Sequence, residues 1–317
     1  MYSRIAGTGK YLPERVLTNA DLEKMVETSD EWIKSRTGIE LRHIAAENEY
    51  TSDLACKAGL AALENAGVTA ADIDLVLVGT TTPDLIFPNV ACLVQERLGI
   101  KSCPAFSVEA ACSGFLYGLV VADQFLRLGQ ARRALVIGAE TMSRIMDWTD
   151  RETCVLFGDG AGAVVLEAAE SPGILYSTLG ADGRYKDLLY ASSGVSLRQR
   201  EGAALRMKGN EVFKVAVRTL ENLVDDVVEK NNLEKGQIDW LIPHQANIRI
   251  ISATAKRLDL PMERVILTVR EHGNTSAASV PMALDTAIRD GRIKRGDLLL
   301  LEAFGGGFTW GASLIRY

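Results

Sequence analysis

Gly129-Gln130-Ala131-Arg132 running into Ala134-Leu135-Val136-Ile137-Gly138-Ala139-Glu140 is echoed half a chain later by Gly291-Arg292-Ile293-Lys294-Arg295-Gly296 running into Asp297-Leu298-Leu299-Leu300-Leu301-Glu302-Ala303. Each stretch reads as a helix end, a turn and a continuous apolar strand, the pattern of a strand buried on both faces. A second echo lies upstream. Residues 54–83 give an amphipathic helix, a loop around Thr69-Ala70-Ala71-Asp72 and the strand Ile73-Asp74-Leu75-Val76-Leu77-Val78; residues 215–243 give a helix, a loop around Leu233-Glu234-Lys235-Gly236 and Ile238-Asp239-Trp240-Leu241-Ile242. A third pairs Phe157-Gly158-Asp159-Gly160 and Ala163-Val164-Val165-Leu166 with Phe304-Gly305-Gly306-Gly307 and Ala312-Ser313-Leu314-Ile315. Three echoes in one order make accident the weaker explanation and predict two similar α/β halves, residues 1–170 and 171–317.

The 317 residues exceed a typical single domain, so two cores or one large double core are expected. Hydrophobic residues at 47% and charged residues at 24% mark a soluble globular protein. Met1 to Gly7 contains no signal-peptide apolar stretch, and Leu298-Leu299-Leu300-Leu301 is far too short to span a bilayer, so neither export nor membrane insertion is expected. A net charge of −6 disfavours general nucleic-acid binding and leaves room for local basic patches. Five cysteines without a Cys-x-x-Cys pair argue against a disulfide framework and against zinc, and fit a reduced, cytoplasmic chain.

One cysteine stands apart. Cys112 sits in Glu109-Ala110-Ala111-Cys112-Ser113-Gly114-Phe115, where the β-like Ala105-Phe106-Ser107-Val108 turns through small residues into a helix-periodic stretch. A helix N-terminus presents unpaired N–H groups and partial positive charge, which favour a thiolate and the anion formed when it attacks a carbonyl. Cys56, Cys92, Cys103 and Cys154 lie in apolar patterns and read as packing residues, as most free cysteines are. Of the three histidines, His244 in Pro243-His244-Gln245-Ala246-Asn247 and His272 in His272-Gly273-Asn274-Thr275-Ser276 have unusual settings. A Cys, a His and an Asn amid small residues suggest acyl chemistry. The internal echo puts Cys112 and Asn274 on nearly equivalent strand-to-helix turns, with His244 after a second-half strand as Gly79 follows its first-half partner.

Other features read more plainly. His272 shapes the turn that presents Asn274, and His43 is structural or partly exposed. Gly7-Thr8-Gly9-Lys10 lacks phosphate-loop spacing and Gly158-Asp159-Gly160-Ala161-Gly162 is followed by no helix, so both are expected to be turns. Trp32 and Arg36 share one face if Asp30 to Thr37 is helical. Arg249, Lys256 and Arg257 fall in a segment from Asn247 to Leu258 without an acidic residue, and Lys214 extends this basic set from another helix. A solvated helix face is the default for such charges; the missing acids favour a dock for an acidic partner.

The sequence resembles the thiolase superfamily and, within it, the β-ketoacyl-acyl carrier protein synthase III family, over essentially the whole chain. The likeness rests on an ordered set: Gly7-Thr8-Gly9-x-Tyr11-Leu12-Pro13, Thr28-Ser29-Asp30-Glu31-Trp32-Ile33, Arg36-Thr37-Gly38-Ile39, Phe157 to Gly162, Pro243 to Asn247, His272 to Ser276 and Glu302-Ala303-Phe304-Gly305-Gly306-Gly307-Phe308. It implies a thiolase-like fold of two pseudo-symmetric α/β halves in an αβαβα core, the first half carrying the nucleophile and the second the His/Asn pair. It implies decarboxylative condensation of a short acyl-CoA, acetyl-CoA first, with malonyl-acyl carrier protein at the start of fatty acid synthesis. Cys112, His244 and Asn274 would be catalytic, with the amides of Cys112 and Gly306 as the oxyanion hole. Elongating relatives carry a second His in place of the Asn, thiolases a second Cys and hydroxymethylglutaryl-CoA synthases a Glu. Chalcone-type synthases share Cys-His-Asn but are usually longer and end in a different loop.

The resemblance also implies a binding surface. Thr28, Trp32, Arg36, Arg151, Gly209, Asn210, Phe213, Ala246 and Asn247 would take coenzyme A, with Arg151 across the adenine from Trp32. Met142, Phe157, Leu189, Leu205 and Phe304 would line the acyl pocket, joined by Phe87 from the partner of a homodimer. Lys214, Arg249, Lys256 and Arg257 would receive acyl carrier protein. Glu152 departs from the small residue common at its position, which leaves the outer pocket open. No cofactor or metal is implied, since coenzyme A enters as a substrate thioester.

Other readings remain open. A related condensing enzyme could use a longer or specialised primer. The order Cys112, His244, Asn274 is close to the roughly 130–150 residue spacing of papain-like hydrolases, although their Cys-Gly-Ser/Ala-Cys-Trp/Tyr signature is absent and Cys112 lies far from the N-terminus. A non-catalytic scaffold would need none of the three residues.

Overall fold

The echoes fold into two matching sheets. A computed structural model describes residues 1–192, 194, 196 and 204–317. The first stretch of chain runs through β1 (Tyr2–Tyr11), β2 (Arg15–Thr18), α1 (Asn19–Leu22), α2 (Asp30–Thr37), β3 (Leu41–Ile44), α3 (Thr51–Ala66), β4 (Leu75–Gly79), α4 (Val90–Arg97), β5 (Ala105–Val108), α5 (Gly114–Arg127), β6 (Arg133–Thr141), α6 (Arg151–Cys154) and β7 (Asp159–Ala169). The remainder supplies β8 (Ile174–Ala181), β9 (Leu189–Ala191), β10 (Leu205–Met207), α7 (Gly209–Lys230), β11 (Trp240–Pro243), α8 (Ile248–Arg257), α9 (Val269–His272), α10 (Ser279–Arg289), β12 (Leu298–Gly305) and β13 (Thr309–Arg316).

The first sheet has the order β1-β7-β6-β4-β5 and the second β8-β13-β12-β11. Directions also match: the outer pairs β1/β7 and β8/β13 are antiparallel, as are β7/β6 and β13/β12, whereas β6/β4 and β12/β11 are parallel. The second counterpart of β5 shrinks to a single bridge between Leu241 and Val265.

Alternation along each strand builds the layers. Leu75 and Leu77 of β4, Ala134 and Val136 of β6, and Leu299, Leu301 and Ala303 of β12 point into one central core with α5 and α10. Their neighbours point outward: Val76, Val78, Leu135 and Ile137 pack under α3 and α4, and Leu298, Leu300 and Phe304 under α7 and α8. The order is helices, sheet, helices, sheet, helices, the αβαβα core expected. Both faces of every central strand are dry, which is why these strands are continuously apolar. For the same reason α5, flanked by two sheets, buries residues all round, including Phe115, Leu116, Leu119, Ala122 and Leu126.

The glycine-rich stretches correct an expectation. Gly7 to Lys10 lie inside β1, and Asp159 to Gly162 inside β7; neither is a turn. A Cβ on Gly9 would stand 2.4 Å from the Ala58 carbonyl oxygen of α3, and one on Gly162 2.5 Å from the Met282 nitrogen of α10. These glycines let helix backbones press directly on strand backbones.

Candidate active site

Cys112 is carried on a tight turn, residues 111–113, between β5 and α5. Ala111 takes a left-handed φ of 46°. A Cβ on Gly79 would lie 2.5 Å from the Gly114 carbonyl carbon, so bare glycine allows the end of β4 to seat the start of α5. From the other sheet, Thr309 Oγ1 donates to the Ala110 carbonyl at 2.8 Å and Ser113 Oγ donates to the Thr309 carbonyl at 3.1 Å. Cys112 is therefore pinned by both halves. Burial pushes the Cys112 thiol up to about 12, outweighing the downward pull of Ser276 and of its own backbone N–H. The thiolate favoured by the helix start is thus not the resting form; Cys112 rests as a thiol.

His244 follows β11, and its N–H donates to the Glu302 carbonyl at 2.8 Å. Its Nδ1 is 2.6 Å from Ser279 Oγ, which also accepts the Gln245 N–H at 3.3 Å. When the Ser279 hydroxyl donates to Nδ1, a neutral ring carries its proton on Nε2. Burial lowers the His244 pKa to about 3, so the ring stays neutral through the physiological range. Asn274 is bridged to Phe157, its N–H donating to the Leu156 carbonyl at 2.9 Å and its carbonyl accepting from Gly158 N at 3.0 Å. Ser276 N–H donates to Asn274 Oδ1 at 2.9 Å, so Nδ2 is the free donor end. Ser276 has a φ of 49°, mirroring Ala111 in the other half. His272 is buried in the same turn, where a Cβ on Gly158 would stand 2.8 Å from its carbonyl oxygen.

A spectroscopic prediction follows from the tautomer. Long-range ¹H–¹⁵N spectra, simplified by a chain with only three histidines, should show a His244 ring protonated at Nε2 and unchanged from pH 8 to pH 5. A group whose pKa is lowered to about 3 gains its second proton only well below that window. Titration with a midpoint near 6.5 would contradict the assignment.

Cys112, His244 and Asn274 line one cavity of about 580 Å³. Phe157, Leu189 and Phe304 contribute apolar wall, and Met142 and Leu205 lie behind it in a buried cluster with Phe157. Gly209, Asn210, Phe213, Ala246 and Asn247 line the approach, together with Trp32 and Arg36. The α2 helix spans Asp30–Thr37 as predicted; Ser29 Oγ accepts from Trp32 N at its start and Gly38, at φ 78°, ends it. Gly306 sits against the Cys112 turn: a Cβ there would be 3.7 Å from Ala111 Cβ, and one on Gly305 2.7 Å from Cys112 N.

Several named residues are placed otherwise. The Arg36 guanidinium is 4.9 Å from the Trp32 ring centroid and Arg151 is 4.8 Å from it, so Arg151 rests directly on the indole instead of across a gap the width of a base. Arg151 Nη1 also donates to the Glu27 carbonyl at 2.9 Å; neither Arg151 nor Thr28 lines the cavity. Glu152 does line it. Phe87 is 84% exposed and lies outside the cavity of its own chain. In the basic set, Lys214, Arg249 and Lys256 are exposed, with Arg249 5.0 Å from the Phe213 ring centroid. Arg257 is different: it forms an ion pair with Asp225. Packing of α7 along α8 supplies an acid that the local sequence of α8 lacks.

Ser276, Ser279 and Glu140 belong to the site although sequence patterns did not single them out. The available signal was a charged residue, Glu140, closing an apolar strand whose both faces are covered.

The 3-oxoacyl-[acyl-carrier-protein (ACP)] synthase III model matches residues 106–183, and the corresponding C-terminal model matches 228–317. A curated β-ketoacyl-[acyl-carrier-protein] synthase III from Xanthomonas campestris pv. campestris is 65% identical, covering 100% of this chain and 99% of its own. The chain belongs to the β-ketoacyl-acyl carrier protein synthase III family. It is therefore an acyl-transferring condensing enzyme with a thiolase-like fold. The crystal structure of 3-oxoacyl-[acyl-carrier-protein] synthase III from Aquifex aeolicus VF5 superposes with a TM-score of 0.95 at 50% identity, covering 99% of this chain and 100% of that one. The priming β-ketosynthase of the R1128 polyketide pathway also gives 0.95, at 35% identity, covering 99% and 96%. Among the described residues no helix is long and apolar enough to cross a membrane.

Proposed function

We propose that this family member condenses a short acyl-CoA, acetyl-CoA first, with malonyl-acyl carrier protein to start fatty acid synthesis in the cytoplasm. The observation that carries this reading is the meeting of Cys112 with two neutral donors, His244 Nε2–H and Asn274 Nδ2–H, in one cavity. Residues 1–170 supply the nucleophile and 171–317 the donor pair.

In the first half-reaction the Cys112 sulfur attacks the thioester carbon. The amides of Cys112 and Gly306 hold the oxyanion, the bond to coenzyme A breaks, and an acyl-cysteine remains. Malonyl-acyl carrier protein then loses CO₂. The negative charge on its thioester oxygen is held by Nε2–H of His244 and Nδ2–H of Asn274, and the carbanion attacks the acyl carbon and expels the Cys112 thiolate. Two neutral donors and two amides suffice, so the proposal assigns no metal or resident cofactor.

Coenzyme A would lie along Gly209, Asn210, Phe213, Ala246 and Asn247, with its adenine at Trp32 after Arg151 swings off the indole. Thr28 would assist at that mouth. Phe87, projecting on the exposed Leu85-Ile86-Phe87 loop, would enter the acyl pocket of a second copy and complete a homodimer that favours short primers.

Treatment with labelled acetyl-CoA followed by malonyl-acyl carrier protein tests the reading. Label should appear on Cys112 and then in β-ketoacyl-acyl carrier protein. Release of free acetate would indicate a hydrolase, and no transfer of label a scaffold. The likeness to a polyketide priming enzyme favours a specialised primer as the second reading, which would show as higher kcat/KM for a longer acyl-CoA than for acetyl-CoA.

The carrier-protein dock reduces to Lys214, Arg249 and Lys256. Arg249 also lines the cavity, so Lys256 is the cleaner probe. Lys256→Glu should raise KM for malonyl-acyl carrier protein by roughly three- to tenfold at low salt while sparing acetyl transfer from CoA, because a rim charge acts through the field it presents to an acidic partner. Arg257→Gln should do less, its charge being already paired with Asp225. Equal losses in both half-reactions would argue against a dock.

A further inference from the structure

Gln245 is fully buried between two residues that line the cavity, His244 and Ala246, and does not line it itself. All four hydrogen-bonding positions of its side-chain amide are taken. Nε2 donates to the Pro243 carbonyl at 2.7 Å and to the Ile266 carbonyl at 3.0 Å. Oε1 accepts the Thr268 N–H at 2.8 Å and the Val269 N–H at 3.0 Å. Each partner has one role, carbonyl acceptor or amide donor, so the Gln245 amide has a single orientation; turned over, it would lose every one of these bonds.

These bonds stand where the second half has lost a ladder. In the first half β4 and β5 pair from Val76 with Ala105 to Gly79 with Val108. In the second half the equivalent pairing is the single Leu241–Val265 bridge, with the Ile266 N–H donating to the Leu241 carbonyl at 2.9 Å. Beyond that bridge the Gln245 side chain takes over, joining the end of β11 to residues 266–269. Its Oε1 caps α9, since the Thr268 side chain, in the usual capping place, makes no cap bond. From that cap the helix leads straight to Asn274: the His272 N–H donates to the Thr268 carbonyl at 2.9 Å, the Gly273 N–H to the Val269 carbonyl at 3.1 Å, and Asn274 is the next residue.

We propose that Gln245 is a positioning residue that fixes the spacing between the His244 and Asn274 donors, and so serves decarboxylation and condensation but not acyl transfer to Cys112. The Pro243 carbonyl lies immediately before His244, so Nε2 holds the chain at one donor while Oε1 holds the start of the helix that ends at the other. His244 is otherwise anchored on Glu302 and Ser279, and Asn274 on Leu156, Gly158 and Ser276. Gln245 ties these two sets of anchors to each other. Both donors must reach one thioester oxygen at the same moment, and a displacement of about 1 Å can cost on the order of 10² in rate. The Cys112 turn is held by Thr309 and Ser113, outside this bracket.

The inference rests on the reading of His244 and Asn274 as a donor pair, and its test separates the two. Gln245→Met keeps the length of the side chain and removes its bonds. It should slow CO₂ release from malonyl-acyl carrier protein by on the order of 10–10²-fold, while single-turnover acetylation of Cys112 stays within about threefold of the unmodified enzyme. Gln245→Glu, kept neutral by its dry surroundings, retains an O–H donor and an accepting oxygen, so its CO₂ release should fall only about three- to tenfold. A residue present only for its fit among apolar neighbours would tolerate Met better than Glu. In an Asn274→Ala background no second donor is left to align, and Gln245→Met should slow decarboxylation by no more than about threefold further. Hydrogen exchange in the unmodified enzyme adds a measurement that needs no variant to fold: the Thr268 and Val269 amides should be protected. If Gln245→Met does not fold, Gln245→Glu and the exchange measurement carry the test. Unprotected Thr268 and Val269 amides, equal losses in the two half-reactions, a Glu variant slower than the Met variant, or multiplicative loss in the Asn274→Ala background would overturn the assignment. Decarboxylation by Asn274→Ala at the unmodified rate, with the two amides protected, would instead remove the donor-pair reading, and with it the catalytic use of the bracket.

Discussion

Asn274→Ala is expected to yield an enzyme that takes up an acetyl group and then stalls. The Asn274 side chain reaches the cavity through Nδ2 because Ser276 N–H occupies Oδ1, so truncation removes one of two donors to the charge that develops as malonate loses CO₂. Loss of a comparable oxyanion donor elsewhere costs about 10²–10³ in rate, roughly 3–4 kcal/mol of transition-state stabilisation. Acetylation of Cys112 depends on the amide pair instead and should persist. Cys112→Ala should show the complementary behaviour, with no acyl-enzyme but continued decarboxylation by His244 and Asn274. Intact-mass spectrometry after acetyl-CoA treatment, paired with CO₂ release from malonyl-acyl carrier protein, reads both steps. Acylation of Cys112→Ala at the active site, or condensation by Asn274→Ala at the unmodified rate, would show that this division of labour is wrong.

Gly138→Ala should damage both half-reactions together. A Cβ at Gly138 of β6 would stand 2.1 Å from the Ala277 carbonyl oxygen and 2.7 Å from its carbon, both backbone atoms that cannot rotate away. Across the ladder, Gly138 pairs with Gly162, itself pressed against Met282 of α10. These two glycines form the seat for the turn that carries Ser276 and leads into α10. Forcing a methyl group into it should cost about 1–3 kcal/mol of stability and shift the Asn274 turn relative to Cys112. Gly183→Ala is the control, since its added Cβ meets nothing within 4 Å. Urea unfolding and the two half-reaction assays should show loss for Gly138→Ala and little change for Gly183→Ala. A Gly138→Ala enzyme with an unchanged midpoint would mean that the sheet and α10 separate more easily than their contact implies.

Different fates of similar-looking residues show where local pattern loses its power. Arg249 and Arg257 look alike in the sequence of α8, yet only Arg257 is neutralised, because its partner comes from α7, 32 residues away in sequence. Arg151 and Trp32 were expected to face one another across a ring, but a cation and an indole brought together by folding attract, and Arg151 lies on the indole. Gly9 and Gly162 resemble turn glycines because a turn and a close helix-to-strand contact both require a missing side chain; only the neighbouring backbone distinguishes them.

The sequence by itself determined the duplicated α/β plan, the two-sided burial of the central strands, the α2 face bearing Trp32 and Arg36, and the candidacy of Cys112, His244 and Asn274, which meet in one cavity. Those properties are written in periodicity, strand-to-helix transitions and residue types, which are local in the chain. Tertiary structure alone decided that His244 Nδ1 meets Ser279, which end of Asn274 faces the cavity, that Cys112 rests protonated and that Ser276 bonds the buried Glu140. Each depends on a hydrogen-bond partner or on burial supplied by a distant segment, and a one-dimensional pattern does not record which distant groups meet.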